Sequence, residues 1–184
     1  MRIKCGVVLI AAIGLLVTGC SGDKPAAAPS SKAPPPASSS AAAAAVKEAC
    51  ALLSGDAVAK VDALSQVSAK LGPEQTAAAN GGKAKTCVYS ADGKDVGALA
   101  STRYEGVKVT SAEMIASIKN KKPGAVEVAG VGEGAVYYVE SGKTATLAAA
   151  KVVQGVPTLI SYSGPAKMTQ EMLIPLVKQA VDAS

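Results

Sequence analysis

The sequence predicts an α+β domain in which an antiparallel sheet of about five to six strands carries helices packed mainly on one face. Three observations carry that expectation. Segments with helical spacing of apolar residues stand before, within and after a block of strand-like segments, rather than alternating one for one with strands. The strand-like segments are separated by glycine-bearing turns at hairpin spacing. The first 45 residues read as a signal followed by an Ala, Pro and Ser tether, which confines the domain to residues 46–184.

Met1 to Gly19 reads as a secretory signal, with Arg2 and Lys4 as its charged start and an apolar run from Val7 to Val17 broken only by Gly14. The run is short for a membrane span. It ends in Leu16-Val17-Thr18-Gly19-Cys20, which resembles the lipobox of bacterial lipoproteins. That resemblance implies cleavage before Cys20 and a diacylglyceryl group on its thiol. The mature chain would then be lipid-anchored to the cell membrane on its extracytoplasmic face. An ordinary signal followed by a coincidental cysteine is the other reading of the same residues. Two acyl chains, at about 0.8 kcal/mol per buried methylene, make a lasting anchor. Residues 21–45 are Ala, Pro and Ser around a Pro34-Pro35-Pro36 run, the composition of a disordered tether.

Cysteine usage follows from that address. With Cys5 lost with the signal and Cys20 lipidated, Cys50 and Cys87 are left in an oxidising compartment and are expected to pair. Such a bridge is worth about 4 kcal/mol in the chain-entropy model. A redox or metal site is the rival reading, but there is no Cys-x-x-Cys and no His to complete a metal shell.

Within the domain, Val46, Cys50 and Leu53 have helical spacing, and Gly55 is expected to stop that first helix. Asp56 is expected to cap a second helix running to about Leu64, with Val58 and Val61 inward. From Ser65 to Lys83 the pattern fades around Gly72-Pro73 and Asn80-Gly81-Gly82, and a loop is expected. Residues 85–91 and 96–105 are strand-like and joined through Asp92-Gly93, a dipeptide suited to the positive φ angles of a tight hairpin. Cys87 lies on the first of these strands, so the expected disulfide staples the first helix to the sheet.

Thr110 to Glu113 is a capping box opening a helix with Met114, Ile115 and Ile118 on one side, ended by Pro123-Gly124. Strands are expected at 125–129, 135–140, 144–153 and 157–163, paired as a meander. A last helix over about 170–183 places Met172, Leu176, Val177, Ala180 and Val181 on one face. Pro175 is expected to kink it or delay its start.

Three short motifs, Cys50-Ala51-Leu52-Leu53-Ser54, Cys87-Val88-Tyr89 and Gly130-Val131-Gly132-Glu133-Gly134-Ala135, resemble landmarks of small actinobacterial cell-envelope lipoproteins of unassigned function. The resemblance runs from about Ala49 to the end of the chain. Tyr89 stands where that pattern has Trp. The resemblance implies a location and an architecture, and it brings no catalytic residues.

Composition narrows the function classes. There is no His, the side chain most used for general acid-base work near neutral pH and for transition-metal binding. No Gly-x-Ser-x-Gly occurs, and the Ser-x-x-Lys at Ser21 to Lys24 falls in the tether. The 14 acidic residues are scattered without calcium-loop spacing, and Asp92 and Asp95 are accounted for by a hairpin turn. A paired-carboxylate hydrolase stays open, since partners can meet only in the fold. No cofactor or metal is implied. The net charge is +5, or +3 without Arg2 and Lys4, and aromatics are 3% of residues, which argues against nucleic acid as a partner.

Gly130-x-Gly132-x-Gly134 invites a nucleotide-loop reading, but the segment after it is strand-like, and a glycine turn is the simpler account. Candidate partner contacts are Glu133 beside that turn, Lys119, Lys121 and Lys122 at a helix end, and Tyr138. The lysines also suit the helix's negative carbonyl end, with anionic envelope polymers or lipid headgroups as the other reading. Tyr137 and Tyr138 are adjacent on one strand and must point to opposite faces. The functional expectation is a non-enzymatic, membrane-tethered interaction or sensor-like domain meeting an unknown envelope protein. A carrier of a lipid or other apolar ligand, and a structural envelope protein, are the competing readings.

Overall fold

The computed structural model describes residues 47–77 and 81–184. The signal, Cys20, the tether and Val46 lie outside them. All strand pairings are antiparallel. The strands are β1 (Ser68–Leu71), β2 (Gln75–Ala77), β3 (Gly82–Ala91), β4 (Lys94–Arg103), β5 (Val126–Val128), β6 (Gly134–Glu140), β7 (Thr144–Val153) and β8 (Val156–Pro165). Seven of them lie side by side in the order β1-β3-β4-β8-β7-β6-β5, and β2 pairs with β3 beyond the end of β1. The class is α+β as expected, but the strand count exceeds five to six. The extra strands are β1 and β2, inside the stretch expected to be a loop. All four β1 residues are exposed, so no alternation betrays this strand.

The helices are α1 (Ala49–Leu52), α2 (Gly55–Val61), α3 (Ser111–Lys121) and α4 (Gln170–Ala183). Alternation along β7 shows how they divide. Ala145, Leu147 and Ala149 face a large core shared with Leu52, Leu53, Val58, Leu173, Leu176 and Val177 of the α1, α2 and α4 side. Ala148 and Ala150 face a smaller cluster with Met114 and Ile115 of α3. Three helices therefore cover one face, and α3 alone sits on the other.

Local chemistry explains the elements and corrects several expectations. Gly55 does not stop a helix; it opens α2, where a side chain would collide with the Val67 carbonyl. Ser54 rather than Asp56 is the cap, its Oγ accepting the Ala57 N–H at 3.3 Å, and α2 ends at Val61, short of Leu64. Asp92 and Gly93 adopt φ of 50° and 72° and turn β3 into β4 as expected. Helix α4 starts at Gln170, so Pro175, exposed inside it, does not delay its start.

The meander expectation holds for β5 to β8. The β3–β4 hairpin joins it through β4 and β8, where Ala98 to Arg103 pair with Ser163 to Thr158. The start of the domain is pinned closely. Lys47 Nζ donates to the Ala183 carbonyl at 2.6 Å, Lys85 Nζ donates to Glu48 Oε1 at 2.7 Å, and Cys50 is disulfide-bonded to Cys87 with Cα atoms 5.0 Å apart. The expected staple between first helix and sheet is present.

Candidate functional site

Helix α3 organises the candidate site because it covers only part of its face of the sheet. Its first turn is capped as the sequence predicts: Thr110 Oγ1 accepts the Glu113 N–H at 3.2 Å, and the Glu113 carboxylate accepts the Thr110 N–H at 2.8 Å. That backbone hydrogen bond, with the one from the Thr110 hydroxyl, holds the Glu113 carboxyl below its ordinary range. Met114 and Ile115 are buried against Val136, Ala148 and Ala150, whose small side chains let the helix lie close.

Glu133 locks the start of α3 to the sheet. Its Oε2 accepts from Ser111 Oγ at 2.7 Å, and its Oε1 accepts from the Val152 N–H at 3.1 Å. The Ser111 hydroxyl, then the Val152 N–H, then the charge of Lys151 lower its carboxyl from the usual value. The glycine run is a turn between β5 and β6, with Gly130 at φ 78° and Gly132 at φ 61°. A side chain on Gly132 would come 2.7 Å from the Ala150 carbonyl oxygen, so the turn needs glycine twice over.

The far end of α3 is tied down by the lysines named from sequence. Lys119 Nζ reaches Glu127 Oε1 on β5 at 2.6 Å, and Lys122 Nζ reaches Glu140 Oε1 on β6. The bond to Glu140 raises the Lys122 pKa, and its ammonium also lies 5.4 Å from the Tyr138 ring centroid. Lys121 makes no ion pair among the described residues. Lys119 and Lys122 therefore hold the helix to the β5–β6 hairpin, and Lys121 is the one presented outward. Tyr137 and Tyr138 diverge as expected. Tyr137 Oη donates to the Met168 carbonyl at 3.0 Å on the α4 side, while Tyr138 lies under Lys122 on the α3 side.

A groove runs along each flank of α3. One, of about 470 Å³, lies toward the β5–β6 turn, with Ile115 and Val128 at its base and Lys119, Glu127 and Glu133 on its rim. The other, of about 300 Å³, is walled by Tyr104, Val107, Val109, Met114, Ile118, Leu159 and the sequence-predicted Tyr138, with Glu113, Lys121 and Lys122 also in its lining. Sequence reasoning placed Met114 and Ile118 on the helix's inner side but missed Tyr104, Val107, Val109 and Leu159. The first three lie on the irregular approach to α3, where no period marks a buried face.

Among the described residues, no three His, Cys, Asp or Glu side chains converge as a metal site, and no helix is long and apolar enough to cross a membrane. Comparison of the chain with family models, with curated proteins and with solved structures finds no match.

Proposed function

We propose that the chain is a lipid-anchored, extracytoplasmic, non-enzymatic binding domain of the cell envelope, and that α3 with its smaller groove is the element that engages ligand or partner. The observation that carries this reading is the groove itself. Seven apolar or aromatic side chains, Tyr138 among them, line it together with Lys121, Lys122 and Glu113, and the helix that forms one side is fixed at both termini by side-chain bonds. A concave, largely apolar site with a few polar groups at its edge is the usual form of a small-ligand site. The anchor is inferred from the lipobox-like residues ending at Cys20, and the envelope location from that run together with the resemblance to actinobacterial lipoproteins.

The apolar lining favours one second reading, carriage of a lipid or other apolar small molecule. Its volume lies at the low end of the roughly 300–1,000 Å³ range of small-ligand sites and suits a single chain or a compact ligand. Native mass spectrometry of the mature chain, exported with Cys20→Ser so that no acyl group is attached, tests the groove. An added mass present on this protein and lost on Ser117→Trp, which fills the groove from α3, is the expected result. A ligand-free mass together with unchanged partner binding in Ser117→Trp would remove α3 from the proposal. Turnover of an ester, glycan or peptide substrate, abolished by a point substitution, would replace it with an enzyme.

A further inference from the structure

The face of β3 and β4 that carries the disulfide changes character along its length. In register, Cys87 opposes Leu99, Lys85 opposes Ser101, and Lys83 opposes Arg103. The first pair is fully buried in the core beneath the helices. The next two pairs are polar and line a cleft of about 170 Å³ with Glu74 and Glu105. Three cations and a hydroxyl on two adjacent strands thus point to one side at a spacing set by the pleat.

Arg103 is the unusual member. Its side chain is only 12% exposed, yet it donates no hydrogen bond among the described residues, and its Nε is fully buried without a partner. The nearest carboxylate oxygen, on Glu105, is 3.6 Å from Nε, close enough to offset charge but too far to accept a hydrogen bond. A buried N–H donor left without an acceptor is costly, and here that donor is Nε, while the two terminal nitrogens are not among the buried unpartnered atoms. Ser101, one residue pair away, is buried and lines the same cleft. Lys83 is 3.9 Å from Glu105 and 60% exposed, so its ammonium is free to turn inward.

We infer that this cleft binds a phosphate-type oxyanion, through Arg103 and Ser101 at its base and Lys83 and Lys85 at its rim. A planar guanidinium flanked by ammonium groups and a hydroxyl is the donor set that matches several oxygens on one compact anion. Glu105 and Glu48, both 53% exposed, occupy the cations in the absence of the anion and are displaced outward by it. The site is separate from the α3 grooves, which lie on the opposite face, and does not depend on them.

The test uses the mature chain with Cys20→Ser and inorganic phosphate as the probe, read by amide chemical shifts. Saturable shifts centred on Lys85, Ser101 and Arg103 are expected, and sodium chloride at equal ionic strength is expected not to reproduce them. Because Arg103 is set deep, the exposed residues carry the mutational test. Lys83→Ala is expected to weaken phosphate binding about two- to fivefold, the range of one solvent-exposed charge pair. Glu105→Gln is expected to tighten it, which a purely structural Glu105 would not do. Vesicles of phosphatidylglycerol in phosphatidylcholine that shift the same residues, competed by phosphate, make the ligand a lipid headgroup. Phosphate binding without vesicle binding makes it a free phosphate or phosphoester. Shifts reproduced by chloride, shifts mapping elsewhere, or weaker binding in Glu105→Gln would overturn the inference.

Discussion

Replacing Tyr89 or Tyr162 by Phe removes one hydroxyl from the same core, and the two substitutions are expected to change stability in opposite directions. Both rings are fully buried, their centroids 5.9 Å apart, and burial raises both hydroxyl pKa values. Their hydrogen bonding differs. Tyr89 Oη donates to the Leu53 carbonyl at 2.8 Å, so it satisfies a backbone acceptor between α1 and α2. Tyr162 Oη has no hydrogen-bonding partner among the described residues and rests against Gly97, where any side chain would overlap it.

Tyr89→Phe strands the Leu53 carbonyl and is expected to cost about 1–3 kcal/mol, the penalty for an unsatisfied buried group. Tyr162→Phe removes a desolvated hydroxyl that gains nothing in return, and is expected to stabilise by about 1 kcal/mol. Urea unfolding at pH 7 with the disulfide intact separates the two as midpoint shifts of opposite sign at constant m. On a thermal scale 1 kcal/mol is about 3–4 °C for a domain of this size. If Tyr162→Phe destabilises as much as Tyr89→Phe, the Tyr162 hydroxyl is satisfied in solution and the reasoning fails.

Reducing the Cys50–Cys87 bridge frees a loop of 37 residues' separation and is expected to cost about 4 kcal/mol, read as a lower urea midpoint in reductant that the Cys50→Ala, Cys87→Ala double variant reproduces. Glu133 has its pKa lowered in the fold. Its contribution is therefore present above the unfolded value near 4.5 and lost as pH falls through the folded one. Glu133→Gln should flatten the acid limb of the stability profile between pH 5 and pH 3, as about these bounds follow from carboxylate titration. Gly132→Ala forces a side chain against the Ala150 carbonyl at φ 61°. It is expected to destabilise by about 1–3 kcal/mol, measured by thermal unfolding.

The parts of the fold that announced themselves in sequence are those where one rule dominates. Thr110 and Glu113 form the capping box their spacing implies, Asp92-Gly93 makes the hairpin, and Leu176, Val177, Ala180 and Val181 of α4 are buried as expected, with Leu173 rather than Met172 completing that face. The parts that stayed hidden depend on partners distant in sequence. Strand β1 has no buried face of its own and exists because Ser68 to Leu71 complete the edge of β3. Gly55 resembles a helix terminator, and its true constraint is the Val67 backbone, invisible until the chain returns. For the candidate sites, Lys119 and Lys122 were visible as cations at a helix end, but their acceptors Glu127 and Glu140 sit on strands met later. Lys83, Lys85, Ser101 and Arg103 carry no signal in sequence that links them, and only the β3–β4 register shows that the four share one patch.

The close pinning of Lys47, Glu48 and Cys50 has a mechanical consequence. Tension arriving from the N-terminal side meets two hydrogen-bonded contacts and then a covalent crosslink into β3 within four residues. Helix α1 need not carry that load, because the crosslink passes it to a strand bonded along both of its edges. With the bridge intact, residues 51–86 are enclosed in a loop that a pull cannot extend, and single-molecule extension should come up short by that length. Reduction would restore the missing length and let the domain peel from its first turn.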